Sequence, residues 1–143
     1  DITTLRTPIM LKGCETRSLA QEKLLVMALP THEIMQQDLQ NLTLKALSQY
    51  KIILSPRYRQ YILSAFEEKG IFCDIYCECQ DARTALTLAE NGLGVAGLLG
   101  SMRQMDSRVI CREIIDVDLT TEILLAWRKE RLPAEVQEFL AIW

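Results

Sequence analysis

Three short apolar runs constrain this chain more than anything else in it: "KLLVMALP" at 23–30, "YKIILS" at 50–55 and "VAGLL" at 95–99. Each is nearly continuous in apolar residues and bounded by proline, serine or glycine, the pattern of a strand covered on both faces. A strand covered on both faces needs helices to cover it, and helical periodicity follows in sequence. "RYRQYILSAFEEKG" sets Tyr58, Tyr61, Ile62, Ala65 and Phe66 at helical spacing, has Pro56 at its first turn and stops at Gly70. "DARTALTLAEN" reads as a second helix with Asp81 as its N-cap, and "IFCDIYCE" between the two reads as a strand. Strands alternating with helices of this length imply βαβ units, an α/β fold and a mainly parallel sheet. The remaining segments fit the same scheme. "DITTLRT" is a strand closing at Pro8, "LKALSQ" a short helix, "VICREII" and "EILLAWR" two strands, and "PAEVQEFLAIW" a terminal helix with Pro133 near its start.

The chain has 143 residues, 49% hydrophobic and 24% charged, which suits one soluble domain of ordinary size. The net charge of −3 supplies no basic face for nucleic acid, so autonomous DNA binding is not expected. No apolar run reaches the roughly 18 residues that cross a bilayer. "DITTLRTPIM" also lacks the charged-then-apolar order of a signal peptide, so neither membrane nor export is expected. Five cysteines, at 14, 73, 77, 79 and 111, make an odd set, better suited to reduced cytosolic thiols than to a disulfide framework.

The glycines of "NGLGVAGLLG" raise the question of a phosphate cradle. The dinucleotide fingerprint needs a strand before its glycines and a helix after them, and here the order is reversed. Gly92 therefore reads as a left-handed helix end beside Asn91, while Gly94, lacking a Cβ, is placed where a ligand can approach the backbone. In "CDIYCEC" strand alternation puts Cys73, Cys77 and Cys79 on one face, with Asp74, Tyr76 and Glu78 on the other. A zinc site wants four ligands and the single histidine, His32, is distant, so these cysteines read as small buried hydrophobes and no metal is assigned. His32 in "LPTHE" reads as a solvated loop residue. No nucleophile elbow, Walker loop or HExxH is present, and the carboxylate pairs Glu67/Glu68 and Asp116/Asp118 read as solvated faces. The chain offers binding chemistry; no catalytic residue and no cofactor are expected.

The order of motifs resembles one family. "YKIILSPRYRQYILSAFEEKGIFCDIYCECQDARTALTLAENGLGVAGLLGSM" followed by "EILLAWRKERLPAEVQEFLAIW" is similar to the effector-binding domain of LysR-type transcriptional regulators. "DITTLRTPI" resembles the strand ending the first half of subdomain I, and "QEKLLVMALPTHE" the crossover strand into subdomain II. The resemblance implies two Rossmann-like, periplasmic-binding-protein-like subdomains with mainly parallel sheets. Residues 1–21 would be a partial subdomain I strand and crossover, 22–115 a complete subdomain II, and 116–143 the return to subdomain I. It also implies a bacterial, cytoplasmic regulator that reads DNA through an N-terminal winged helix-turn-helix, which this sequence does not include. The full-length protein would be a homodimer or tetramer, and a small inducer would bind in the cleft between subdomains. A solute-binding protein of related bilobed fold is the alternative; it would normally carry an export signal.

In open α/β sheets ligands sit beyond the carboxyl ends of strands, and the loops "RTP", "SPRY" and "GLG" or its flank are read as such ends. Arg6 and Arg57 offer forked donors for a carboxylate, Thr7 and Ser55 offer hydroxyls, and the backbone around Leu93, Gly94 and Val95 offers N–H groups. Pro56 and Tyr58 flank the same turn. The expected ligand is a small organic anion.

Overall fold

The computed structural model describes residues 2–38, 42–103, 107–130 and 132–142. In chain order its elements are β1 (Ile2–Arg6), β2 (Cys14–Ala28), α1 (Glu33–Gln36), α2 (Leu44–Leu47), β3 (Ile52–Leu54), α3 (Pro56–Glu68), β4 (Ile75–Glu78), α4 (Ala82–Glu90) and β5 (Val95–Leu99). A 3-10 turn (Gly100–Met102) follows, then β6 (Ile110–Arg112), β7 (Thr120–Arg128) and α5 (Ala134–Ile142). The chain divides into two compact units, Asp1–Gln21 with Thr121–Trp143, and Glu22–Thr120.

In the first unit β1 pairs antiparallel with β7, from Ile2 opposite Trp127 to Arg6 opposite Ile123. Its small core holds Leu125, Trp127 and Leu140, with Ile2, Leu19 and Val136 packed against them. Arg17 donates to the Leu140 carbonyl at 2.6 Å, and the Trp127 indole N–H donates to Glu15 at 3.1 Å, so the long polar stretch of β2 is tied down by its side chains.

The second unit carries the parallel core. β3 is flanked by β5 on one side and β4 on the other, both parallel to it. β2 closes the β5 edge antiparallel, Leu24 to Met27 opposite Leu99 to Ala96, and β6 adds to the far edge of β2. The three residues of β3 are at most 2% exposed. Alternation sends Ile52 and Leu54 into one cluster with Tyr58, Ile62, Ala65 and Phe66 of α3, and Ile53 into another with Ala85, Leu86 and Ala89 of α4. The two helices therefore cover opposite faces, as the continuous apolar run at 52–54 requires.

Both helices end by the same device. Gly70 at φ +65° has its N–H on the Glu67 carbonyl, and Ile71 reaches back to Phe66 at 3.0 Å. Gly92 at φ +76° repeats this with Ala89, and Leu93 with Leu88. Each glycine supplies the left-handed residue a Schellman ending needs.

Several expectations are corrected. β2 reaches back to Cys14, well before its apolar half, and the short α1 and the 3-10 turn were not anticipated. The cysteines do not share one face. The register between β3 and β4 shifts, Ile52 facing Ile75 and Ile53 facing Cys77, so one extra residue, Tyr76, interrupts the alternation. Cys73 and Ile75 pack with the α3 cluster, whereas Cys77 and Cys79 pack with the α4 cluster.

His32 is not a solvated loop residue either. It is the N-cap of α1, its Nδ1 accepting from the Ile34 N–H at 3.2 Å, and its ring meets Tyr50 edge-on at 5.1 Å. Burial holds its pKa below the ordinary 6.5, with Glu33 acting weakly the other way. Because the folded-state pKa lies below the unfolded one, the unfolded chain binds more protons between the two values, and stability falls as pH drops through that window. Urea midpoints measured from about pH 7.5 down to about pH 5 should therefore decline more in the wild type than in His32→Asn, which keeps a capping acceptor but does not titrate there. Parallel pH profiles for the two proteins would contradict this.

Candidate functional site

β5, β3 and β4 run parallel, so their carboxyl ends lie at one end of the second unit. At that end β3 leaves through Ser55 into α3 on one face. β5 leaves through Gly100–Met102, and the chain returns at Val109, which packs on the opposite face with Ala85 and Ala89. Loops diverging from two adjacent parallel strands mark the switch point at which α/β sheets bind ligands.

On the β3 side, Ser55 has extended backbone and caps α3, its Oγ accepting from the Arg57 N–H at 3.4 Å while its carbonyl accepts from the Tyr58 N–H at 3.0 Å. The hydroxyl proton remains available to an acceptor outside the helix. Pro56 at the first turn has no N–H to offer, Arg57 is exposed and Tyr58 is buried in the core. The last carbonyl of β3, on Leu54, accepts from the Cys79 N–H at 2.8 Å. On the β5 side, the Ser101 N–H donates to the Glu22 carboxylate at 2.6 Å, so this chain's own anion covers that donor. At the β4 exit Asp81 caps α4, accepting from the Thr84 N–H at 2.8 Å and its hydroxyl at 3.0 Å. Those bonds hold its carboxyl below the usual carboxylate range. Tyr61, one turn into α3, donates its hydroxyl to the Thr120 carbonyl at 2.9 Å, and burial raises its pKa.

Leu93, Gly94 and Val95 lie at the other end of the same strands. Val95 stands opposite Ile52, so "GLG" enters β5 rather than leaving a strand, and the structure does not bring these three residues together with Ser55, Pro56, Arg57 and Tyr58. Leu93 is exposed and Val95 buried. A Cβ on Gly94 would stand 2.6 Å from the Lys51 carbonyl oxygen, the same oxygen that accepts from the Val95 N–H at 2.9 Å. The close approach that demands glycine is therefore made by the chain's own backbone. Arg6 and Thr7 belong to the first unit, at the end of β1. The Thr7 N–H donates to the Glu122 carbonyl at 2.9 Å and its Oγ1 accepts from the Glu122 N–H at 2.7 Å, extending the β1–β7 ladder by one side chain.

The apolar void inside the second unit is too small to be an alternative site. The apolar void among Leu24, Leu44, Ile52, Leu54, Gly97 and Ile114 has a volume of about 10 Å³, room for about one water. Small-molecule sites need roughly 300 Å³ or more. Glu22 and Ser101, which lie together at the exit of β5, were missed in the sequence. The signal for Ser101 was present in the end of "VAGLL" at Gly100; nothing local marks Glu22, 79 positions away. Among the described residues no group of three or more His, Cys, Asp and Glu side chains is placed to hold a metal ion, and no helix is long and apolar enough to cross a membrane.

The mixed α/β sheet is that of a periplasmic-binding-protein-like fold. The family model described as the LysR substrate binding domain matches residues 1–142, and the chain belongs to that family. Its members are effector-binding domains of transcriptional regulators and not enzymes. A search of curated protein sequences found no match. Among solved structures, the regulatory domain of CcmR from Synechocystis PCC6803 in complex with 2-PG is similar at a TM-score of 0.83 and 15% identity, over 99% of this chain and 71% of that one. The BenM effector-binding domain with benzoate gives 0.78 and 20%, over 99% and 70%. The effector-binding domain of QuiR with shikimate gives 0.75 and 21%, over 90% and 63%. Against full-length BenM the chain spans 48% of the other protein's length. At these identities the likeness is one of fold.

Gly94→Ala tests whether Gly94 is glycine for the sheet's sake. The added methyl must push on the Lys51 carbonyl, and overpacking of this kind costs about 1–3 kcal/mol. A urea melt should show that loss with no ligand present; an unchanged midpoint would free Gly94 for a ligand role.

Proposed function

We propose that this chain is the effector-sensing part of a bacterial, cytoplasmic LysR-type transcription regulator and that its effector is a small organic carboxylate. The regulator would act as a homodimer or tetramer and reach DNA through a separate helix-turn-helix region. The observation that carries the reading is the family match across residues 1–142. Similar folds have been solved with benzoate and with shikimate, both carboxylates, which supports the ligand class.

Within the second unit the donors that suit a carboxylate are the Ser55 hydroxyl and the Arg57 guanidinium, at the amino end of α3 where the helix dipole favours negative charge. The Glu22 carboxylate on the β5 side disfavours a second anion there, which supports the β3 side. Arg6 and Thr7 carry the same donor chemistry at the end of β1. Effector binding at such loops shifts the population between two arrangements of the regulator, by as much as the effector prefers one of them.

Thermal denaturation against a panel of metabolic carboxylates tests the proposal. A true effector at about 100 times its Kd should stabilise the protein by about 2.7 kcal/mol. Loss of one charge-assisted hydrogen bond in Ser55→Ala or Arg57→Gln should weaken binding by roughly 10- to 100-fold. A panel in which no acid shifts the transition, while a neutral or cationic metabolite does, would overturn the carboxylate assignment.

A further inference from the structure

Cys77 and Cys79 hold their sulfurs 3.8 Å apart. Cys77 is half-buried and Cys79 is 5% exposed, and both face the α4 cluster among Ala82, Ala85 and Leu86. From this geometry we infer that the pair is a two-coordinate site for a soft monovalent cation of the Cu(I) class.

The argument rests on ligand number, softness and reach. A structural zinc ion takes four ligands, and no third His, Cys, Asp or Glu joins this pair among the described residues. Two thiolates with nothing further suit a soft d10 monovalent ion, for which thiolate is the preferred ligand. Even bonds as long as the roughly 2.3 Å of zinc–thiolate would span at most about 4.6 Å in line, so the sulfurs need to part by less than an ångström. A disulfide is the worse fit. Residues two apart on an extended strand have Cα atoms roughly 6.4–6.8 Å apart, at the outer limit of disulfide geometry. The incoming ion displaces both thiol protons, so apparent affinity rises with pH.

The apolar side chains of α4 keep water from acting as a third ligand, while half-buried Cys77 provides the way in. The site adjoins the exit of β3, because the Cys79 N–H is bonded to Leu54, the residue before Ser55. An ion bound there would stiffen the carboxyl end of β4 beside the start of α3.

The test is anaerobic titration of the fully reduced chain with Cu(I) held as its bicinchoninate complex, followed by the competitor's colour and by thiolate-to-metal charge-transfer absorption in the ultraviolet. The expected result is one Cu(I) withdrawn per chain. Cys77→Ser should weaken that binding by more than about 100-fold, beyond what loss of an outer-shell partner does. Cys79→Ser should do the same, and Cys77→Ser, the less buried change, decides the matter if Cys79→Ser fails to fold. The double variant Cys14→Ser/Cys111→Ser should retain the site. Failure of the chain to compete with bicinchoninate, or equal binding by wild type and Cys77→Ser, would overturn the proposal. So would loss of two free thiols to a Cys77–Cys79 disulfide under mild oxidant in place of metal binding.

Discussion

β3 is covered on both faces and paired on both edges, and the second unit is organised around that fact. A strand of three apolar residues, none more than 2% exposed, can exist only if α3 covers one face, α4 the other, and β4 and β5 satisfy its backbone on both sides. Burying those three side chains is worth very roughly 1.5–3 kcal/mol each, but the larger consequence is geometric. Parallel neighbours need crossover connections, so α3 and α4 must return the chain from the carboxyl end of one strand to the amino end of the next.

The same constraint sets the strand exits. Because the exits of β3 and β5 diverge to opposite faces, Ser55 and Ser101 begin loops that leave the carboxyl end in different directions. The amino end of β5 is packed closely against β3. There Gly94 lets β5 approach so closely that its position is taken up by the Lys51 carbonyl. Donor groups at the two ends are of similar chemistry, and α/β sheets bind ligands at the carboxyl ends of their strands, which is why strand direction matters more than residue type in assigning the site.

Most of the element order was readable because the apolar runs are short and sharply bounded. Pro56, Gly70, Asp81 and Gly92 each mark a helix end by a local mechanism, and each does so in the structure. The polar half of β2, "CETRSLAQ", was invisible because its strand conformation is held by partners far away, the neighbouring strand β7 together with the bonds of Arg17 to Leu140 and Glu15 to Trp127. The bulge at Tyr76 was likewise unreadable, since alternation within β4 does not reveal the register with β3, and one extra residue moves Cys77 to the face opposite Cys73. His32 carried no flag as a cap because serine, threonine, aspartate and asparagine are the usual signals.

The sequence by itself determined most of the strands and helices, where the longer helices begin and end, and, through the order of its motifs, the family of the domain. These depend on periodicity and on residues acting within a few positions of themselves. Tertiary structure decided which ends of the strands lie together, that Glu22 reaches Ser101, that Tyr61 reaches Thr120, and that two cysteines touch while a third turns away. Those outcomes depend on strand direction and register, which arise only when distant segments pair, and no local pattern encodes them.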